Sequence, residues 1–129
     1  MITLNGRAQL VQQSARCAET LLHETLPERW RHTRGVAERA TELAVTVSPA
    51  DRSVLIAAAW LHDIGYAPAL RRTWFHPIDG GLHLLRHGWD PRIAALVAHH
   101  SGARFVADQA GLGPLIRSFA GRTARYPTH

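Results

Sequence analysis

The sequence predicts an all-α protein, an irregular bundle of about six or seven helices. Three observations predict it. Apolar residues recur every three or four positions along most of the chain, proline and glycine fall where helices would begin and end, and no segment alternates in the manner of a strand. The first helix should span Ala8 to Leu26, with Leu10, Val11, Ala15, Ala18, Leu21 and Leu22 on one face and Pro27 behind it. The second should run from about Glu28 to Val47, with Trp30, Val36, Ala40, Leu43 and Val47 along one stripe. Ser48-Pro49-Ala50-Asp51 then offers a capping residue, a proline at the first helical position and an acid three residues on. The third helix, Pro49 to Ile64, is nearly continuous in apolar residues from Val54 to Leu61, as a buried helix is, and Gly65 is its expected stop.

From Tyr66 to Phe75 the chain reads as a loop carrying Pro68, Arg71 and Arg72. Pro77 should open a short helix that ends near Gly88, and Asp90-Pro91 should cap and start another reaching His99-His100. After Gly102, two further short helices are expected, over Arg104 to Leu112 and Pro114 to Phe119. Gly121 to His129 shows no helical pattern and is expected to be a disordered tail.

A length of 129 residues fits one domain over 1–129, with the chemically informative part between about 28 and 112. The 46% apolar and 19% charged fractions describe a globular chain rather than a disordered one. No stretch approaches the roughly 18 apolar residues of a membrane span. The N-terminus lacks the pattern of a signal peptide. One cysteine, Cys17, excludes an internal disulfide and a cysteine-based zinc site, so the cytoplasm is the expected location. The net charge is +5 and all 15 basic residues are arginine. They are scattered rather than clustered, which argues against a nucleic-acid partner. A small phosphorylated substrate suits arginine's bidentate geometry at least as well. The same arginine and alanine usage also follows from a GC-rich genome.

The chemistry lies in the histidines, of which there are nine. His62 and Asp63 end the most apolar helix, in Ala58-Ala59-Trp60-Leu61-His62-Asp63-Ile64-Gly65. Burying an imidazole and a carboxylate there is costly unless something pairs with them. A lone His-Asp dipeptide is more often a hydrogen-bonded pair than a metal site. This one has company: His32 precedes it, His76 opens the next helix in Phe75-His76-Pro77-Ile78-Asp79-Gly80-Gly81, and His99-His100 end another in Ala95-Leu96-Val97-Ala98-His99-His100-Ser101-Gly102.

This order of residues resembles the HD superfamily of metal-dependent phosphohydrolases, and most closely the branch that includes the bacterial diadenosine tetraphosphatases. The resemblance covers roughly Glu28 to Leu112. It implies an HD-type helical fold and a bacterial cytoplasmic enzyme that hydrolyses a nucleotide or another phosphorylated small molecule. It also implies one or two divalent transition-metal ions, with iron, manganese, cobalt and nickel all suited to mixed imidazole and carboxylate ligation. Carried over by position, His32, His62 and Asp63 would hold a first ion, and His76 and His99 a second. Asp63 would also act as the catalytic residue, orienting a bound water. His100 is then a secondary metal or phosphate contact. Arg71, Arg72 and Arg104 are the candidates for phosphate, because the lysine that many relatives carry after the glycine is here Tyr66.

One departure matters. The family's last ligand is an Asp a little under twenty residues after the position of His99, and here that region reads Leu115-Ile116-Arg117-Ser118-Phe119, with no Asp or Glu after Asp108. The expectation is therefore a weakened site, with a degenerate domain that binds metal or nucleotide without turnover as the main alternative. A di-iron oxygenase of the same fold is a further alternative. Exposed Leu115, Ile116 and Phe119 would favour self-association. His23 reads as a surface residue, and His83 with His87, four apart, lack a third partner for a metal. The four tryptophans read as packing residues, with Trp74, beside the arginine-bearing loop, the best exception.

Overall fold

The computed structural model describes residues 4–100, and within them every regular element is helical. Five α-helices follow in order: α1 (Leu4–Leu22), α2 (Pro27–Leu43), α3 (Pro49–Leu61), α4 (His76–Arg86) and α5 (Pro91–His99). Short 3₁₀ turns cover Ala44–Thr46, Ile64–Tyr66 and Pro68–Leu70. The fold is all-α, as the sequence predicts, with five α-helices in the described part where six or seven were expected for the whole chain. The two additional short helices, with Arg104, Asp108 and the tail, lie outside the described residues.

The boundaries shift for local reasons. α2 ends four residues earlier than its apolar stripe, because Ala44–Thr46 tightens into a 3₁₀ turn. α3 stops at Leu61 rather than Ile64, so His62 and Asp63 stand just beyond the helix. Asp63 has a non-helical backbone (φ −110°, ψ 9°), and its carbonyl accepts the Tyr66 N–H at 3.1 Å. What reads as a loop from Tyr66 onwards begins as two successive 3₁₀ turns.

The chain forms two units, Met1–Leu61 and the residues from His62 onwards. In the first, α1, α2 and α3 pack on one another around Ala18, Leu22, Ala37, Val54, Ala57 and Leu61. Trp30 stacks on Trp60 with centroids 5.8 Å apart, so both take the packing role expected of them. Burial in this unit pushes the Cys17 thiol from its ordinary 9.0 up to about 11. A two-unit rise leaves about a hundredfold less thiolate, the reactive form. Alkylation of the native protein by iodoacetamide at pH 8 should accordingly run about a hundredfold slower than in denaturant. Equal rates in the two states would show the thiol to be freely exposed.

The second unit is built on α4 and α5, which pack through Ile78, Leu84, Ile93 and Val97, all fully buried, with Ile64 joining from the 3₁₀ turn. The Asp90 side chain accepts the Arg92 N–H at 2.8 Å and so caps α5, a contact worth about 1 kcal/mol. Gly88, at φ +78°, makes the turn between the two helices, where a side chain would be strained. Gly65 has a different role. A Cβ there would lie 1.8 Å from the His76 carbonyl oxygen and 2.8 Å from the Gly80 nitrogen. The absence of a side chain lets the segment after Asp63 lie directly on the start of α4.

Candidate metal centre

The second unit gathers three imidazoles around one carboxylate. Asp63 is 4% exposed. Its Oδ2 lies 3.2 Å from His62 Nε2, and its Oδ1 lies 3.3 Å from His76 Nε2 and 3.8 Å from His100 Nε2. His76 Nε2 and His100 Nε2 face each other at 3.2 Å. Each ring is placed by its own element. His62 and Asp63 follow the end of α3, His76 opens α4, and His100 is the first residue past α5. The His76 ring is further fixed by Tyr66, stacked on it at 4.0 Å with an interplanar angle of 15°.

Burial pushes the Asp63 carboxyl up, but hydrogen bonds from His62 and His76, reinforced by their charge, outweigh it and hold the group well below the usual carboxylate range. Burial holds the His100 ring below the usual histidine range. The Val97 carbonyl and Asp63 oppose this effect, while His62 and His76 add to it. His100 Nδ1 donates to the Val97 carbonyl at 2.6 Å, which leaves the neutral ring's lone pair on Nε2, aimed at His76 and Asp63. The Asp63 carboxylate, the His100 Nε2 lone pair and the facing His76 Nε2 place three potential ligand atoms around one point, which a cation between them would satisfy. An ion bonded at about 2.1 Å to ligands at tetrahedral or right angles separates them by about 3.0–3.4 Å. The observed 3.2, 3.3 and 3.8 Å among His76, Asp63 and His100 suit such an ion, and their ligating atoms all fall within 4.8 Å of one another. The donor set fits a divalent metal.

The family model for the HD domain matches residues 29–123. This chain belongs to the HD domain family. No protein of curated function and no solved structure matches it. The matched segment of this HD domain contains every sequence-predicted ligand, including the His62-Asp63 pair that carries the resemblance.

Three of the expected ligands, His62, Asp63 and His76, come together in the HD domain's second unit. The fourth member of the cluster is His100, which the sequence placed second to His99 as a metal or phosphate contact. α5 ends at His99, and His100 leaves it with extended backbone (φ −68°, ψ 149°), which turns its ring toward Asp63. His99, in the last turn of the helix, is half-buried. His32 is an exposed residue of α2 in the first unit. His83 and His87 stack on each other at 4.2 Å, with the His87 ring bonded to the His83 carbonyl, and neither enters the cluster around Asp63.

Beside the centre is a cavity of about 360 Å³ lined by Gly65, Tyr66, Arg71, Trp74, Phe75 and His76. The Arg71 guanidinium lies over the Trp74 ring, 5.0 Å from its centroid. Arg72 is exposed, and its backbone N–H donates to Asp79 Oδ2 at 3.1 Å. Arg104 lies outside the described residues. The sequence reading assigned no role to Asp79, although a carboxylate between Ile78 and Gly80-Gly81 at a helix start was a signal that it must be satisfied locally.

Proposed function

We propose that this protein is a metal-dependent phosphohydrolase acting on a nucleotide or another phosphorylated small molecule. The observation that carries the reading is the buried Asp63 carboxylate with three imidazole nitrogens within 3.8 Å of it. Asp63, His62, His76 and His100 would hold the ion. His32 would be a further ligand, by its place in the sequence. A bound divalent metal would lower the pKa of a water and polarise a phosphate oxygen. Asp63 has two oxygens facing different histidines, so it can hold an ion and still accept a hydrogen bond from a water, orienting it for attack. Tyr66 keeps the His76 ring in place by stacking, and Val97 fixes the His100 tautomer. Arg71 supplies positive charge at the neighbouring cavity, where the rest of a phosphorylated substrate would extend. No helix among the described residues is long and apolar enough to cross a membrane.

The test is elemental analysis of the purified protein, followed by a phosphate-release screen over nucleotides and sugar phosphates with the metal found. The expected result is at least one iron, manganese, cobalt or nickel ion per chain and phosphate release that chelation abolishes and the metal restores. Metal binding without turnover on any substrate would replace the reading with that of a binding domain. Absence of metal would overturn both.

A further inference from the structure

We propose that Trp74 is the specificity residue of the cavity beside the metal centre, and that its exposed indole receives the planar aromatic ring of a phosphorylated substrate while Arg71 meets the phosphate side. The hydrolase reading supplies only the place of the reacting phosphate. The ring-binding role rests on separate observations.

Trp74 is 78% exposed, a costly position for the largest apolar side chain. It is also the one non-glycine residue among those described with a positive φ, +67°, a conformation in which a bulky side chain crowds its own backbone. The surrounding structure enforces this state. Asp79, 2% exposed on α4, accepts the Thr73 N–H at 2.9 Å, the Arg72 N–H at 3.1 Å and the Thr73 hydroxyl at 2.9 Å. The same Thr73 hydroxyl accepts the Phe75 N–H at 3.1 Å. A buried carboxylate therefore buckles the two residues before Trp74, and a hydroxyl buckles the one after it. The segment is held rigid around a tryptophan presented outward. Backbone strain held in place by over-determined contacts is a mark of binding sites.

The surroundings define what the ring would meet. Trp74, Tyr66 and Phe75 put three aromatic side chains on one cavity, and His76 belongs both to that cavity and to the metal centre. The volume of about 360 Å³ is at the small end of the range for small-molecule sites and suits one heterocycle with its phosphate. Arg71 lies over the Trp74 ring, 5.0 Å from its centroid, which keeps its positive charge at the cavity for an anion. An indole beside a cation, opening on a metal centre, selects a planar ring joined to a phosphate. A bare sugar phosphate has nothing to place on the indole.

The 129-residue chain can be tested by calorimetry with two probes, adenosine 5′-monophosphate and ribose 5-phosphate, each with manganese and with chelator. The wild type should bind the nucleotide roughly tenfold or more tightly than the sugar phosphate, the size expected of one stacked base. Trp74→Ala should remove most of that preference, weakening the nucleotide by more than any accompanying change in ribose 5-phosphate affinity, and Trp74→Phe should retain part of it. Because the residue is exposed, both variants should melt close to wild type. Equal affinity of the wild type for the two probes, absence of nucleotide binding at millimolar concentration, or a preference that survives Trp74→Ala would each overturn the assignment. The hydrolase reading fails separately. A Trp74-dependent preference with no phosphate release under any metal would support this assignment and reject hydrolysis. Release from both probes at equal kcat/KM, with equal binding, would support hydrolysis and reject this assignment.

Discussion

Asp63→Ala is expected to leave the purified protein without tightly bound metal, whereas His83→Ala should retain the wild-type content. Asp63 is the element that the three histidines share: its two oxygens lie 3.2, 3.3 and 3.8 Å from His62, His76 and His100. Removing it takes away the only negative charge in the cluster among the described residues and leaves imidazoles that repel one another when protonated. Loss of an outer-shell partner alone costs about 10–100-fold in metal affinity. Loss of this central ligand should exceed that and reduce occupancy to background after dialysis. Asp63→Asn keeps the shape and one acceptor oxygen, so a metal-free Asn variant that melts near wild type separates loss of a ligand from loss of the fold. His83 is the control because it is a histidine of the same unit paired with His87 outside the cluster. Equal metal content in wild type and Asp63→Ala, by elemental analysis, would remove Asp63 from the centre.

The second large effect is expected from one methyl group. In Gly65→Ala the new carbon would sit 1.8 Å from the His76 carbonyl oxygen, 2.7 Å from its carbon and 2.8 Å from the Gly80 nitrogen. All three are backbone atoms, so no side-chain rotation relieves the overlap, and the segment after Asp63 must move away from α4. Overpacking usually costs about 1–3 kcal/mol and more when the backbone must shift. At about 3 kcal/mol the melting temperature should fall on the order of 10 °C. Metal should be lost as well, since His76 and Asp63 lie on the two segments being separated. Gly35→Ala is the counterpart: nothing lies within 4 Å of its Cβ, and it sits inside α2. There the replacement should stabilise by about 0.5–1 kcal/mol. Thermal melts of the pair settle the point, and a Gly65→Ala protein that melts with wild type would show the close approach to be dispensable.

Much of this was legible before any coordinates. Asp90-Pro91 marked the start of α5, and the cap is there as a 2.8 Å hydrogen bond. His62, Asp63 and His76 stood out as candidate ligands from their order and company, and their side chains lie together. The choice between His99 and His100 was not legible. Neighbouring helical side chains diverge by about 100°, and the end of a helix is uncertain by one or two residues from sequence. Which histidine lies past the end decides which one faces Asp63. The positive φ of Trp74 was equally hidden, because nothing in a tryptophan favours it. It is imposed by Asp79, five residues further on, whose partners are main-chain N–H groups and one hydroxyl. The extended reading of α3 failed because apolarity continues through Ile64 while the helical hydrogen bonding does not.

The partner that sets the His100 tautomer is the carbonyl of Val97, a main-chain atom three residues back in the same helix. Histidines in metal sites are often steadied by a carboxylate side chain, which a single base change can delete. Here the steadying group is present whatever amino acid occupies position 97, provided the last turn of α5 survives. Point mutation at position 97 can therefore alter packing without erasing the instruction that keeps the His100 lone pair facing the centre. Genetic drift has few ways to disable this candidate ligand short of changing the histidine or breaking the helix.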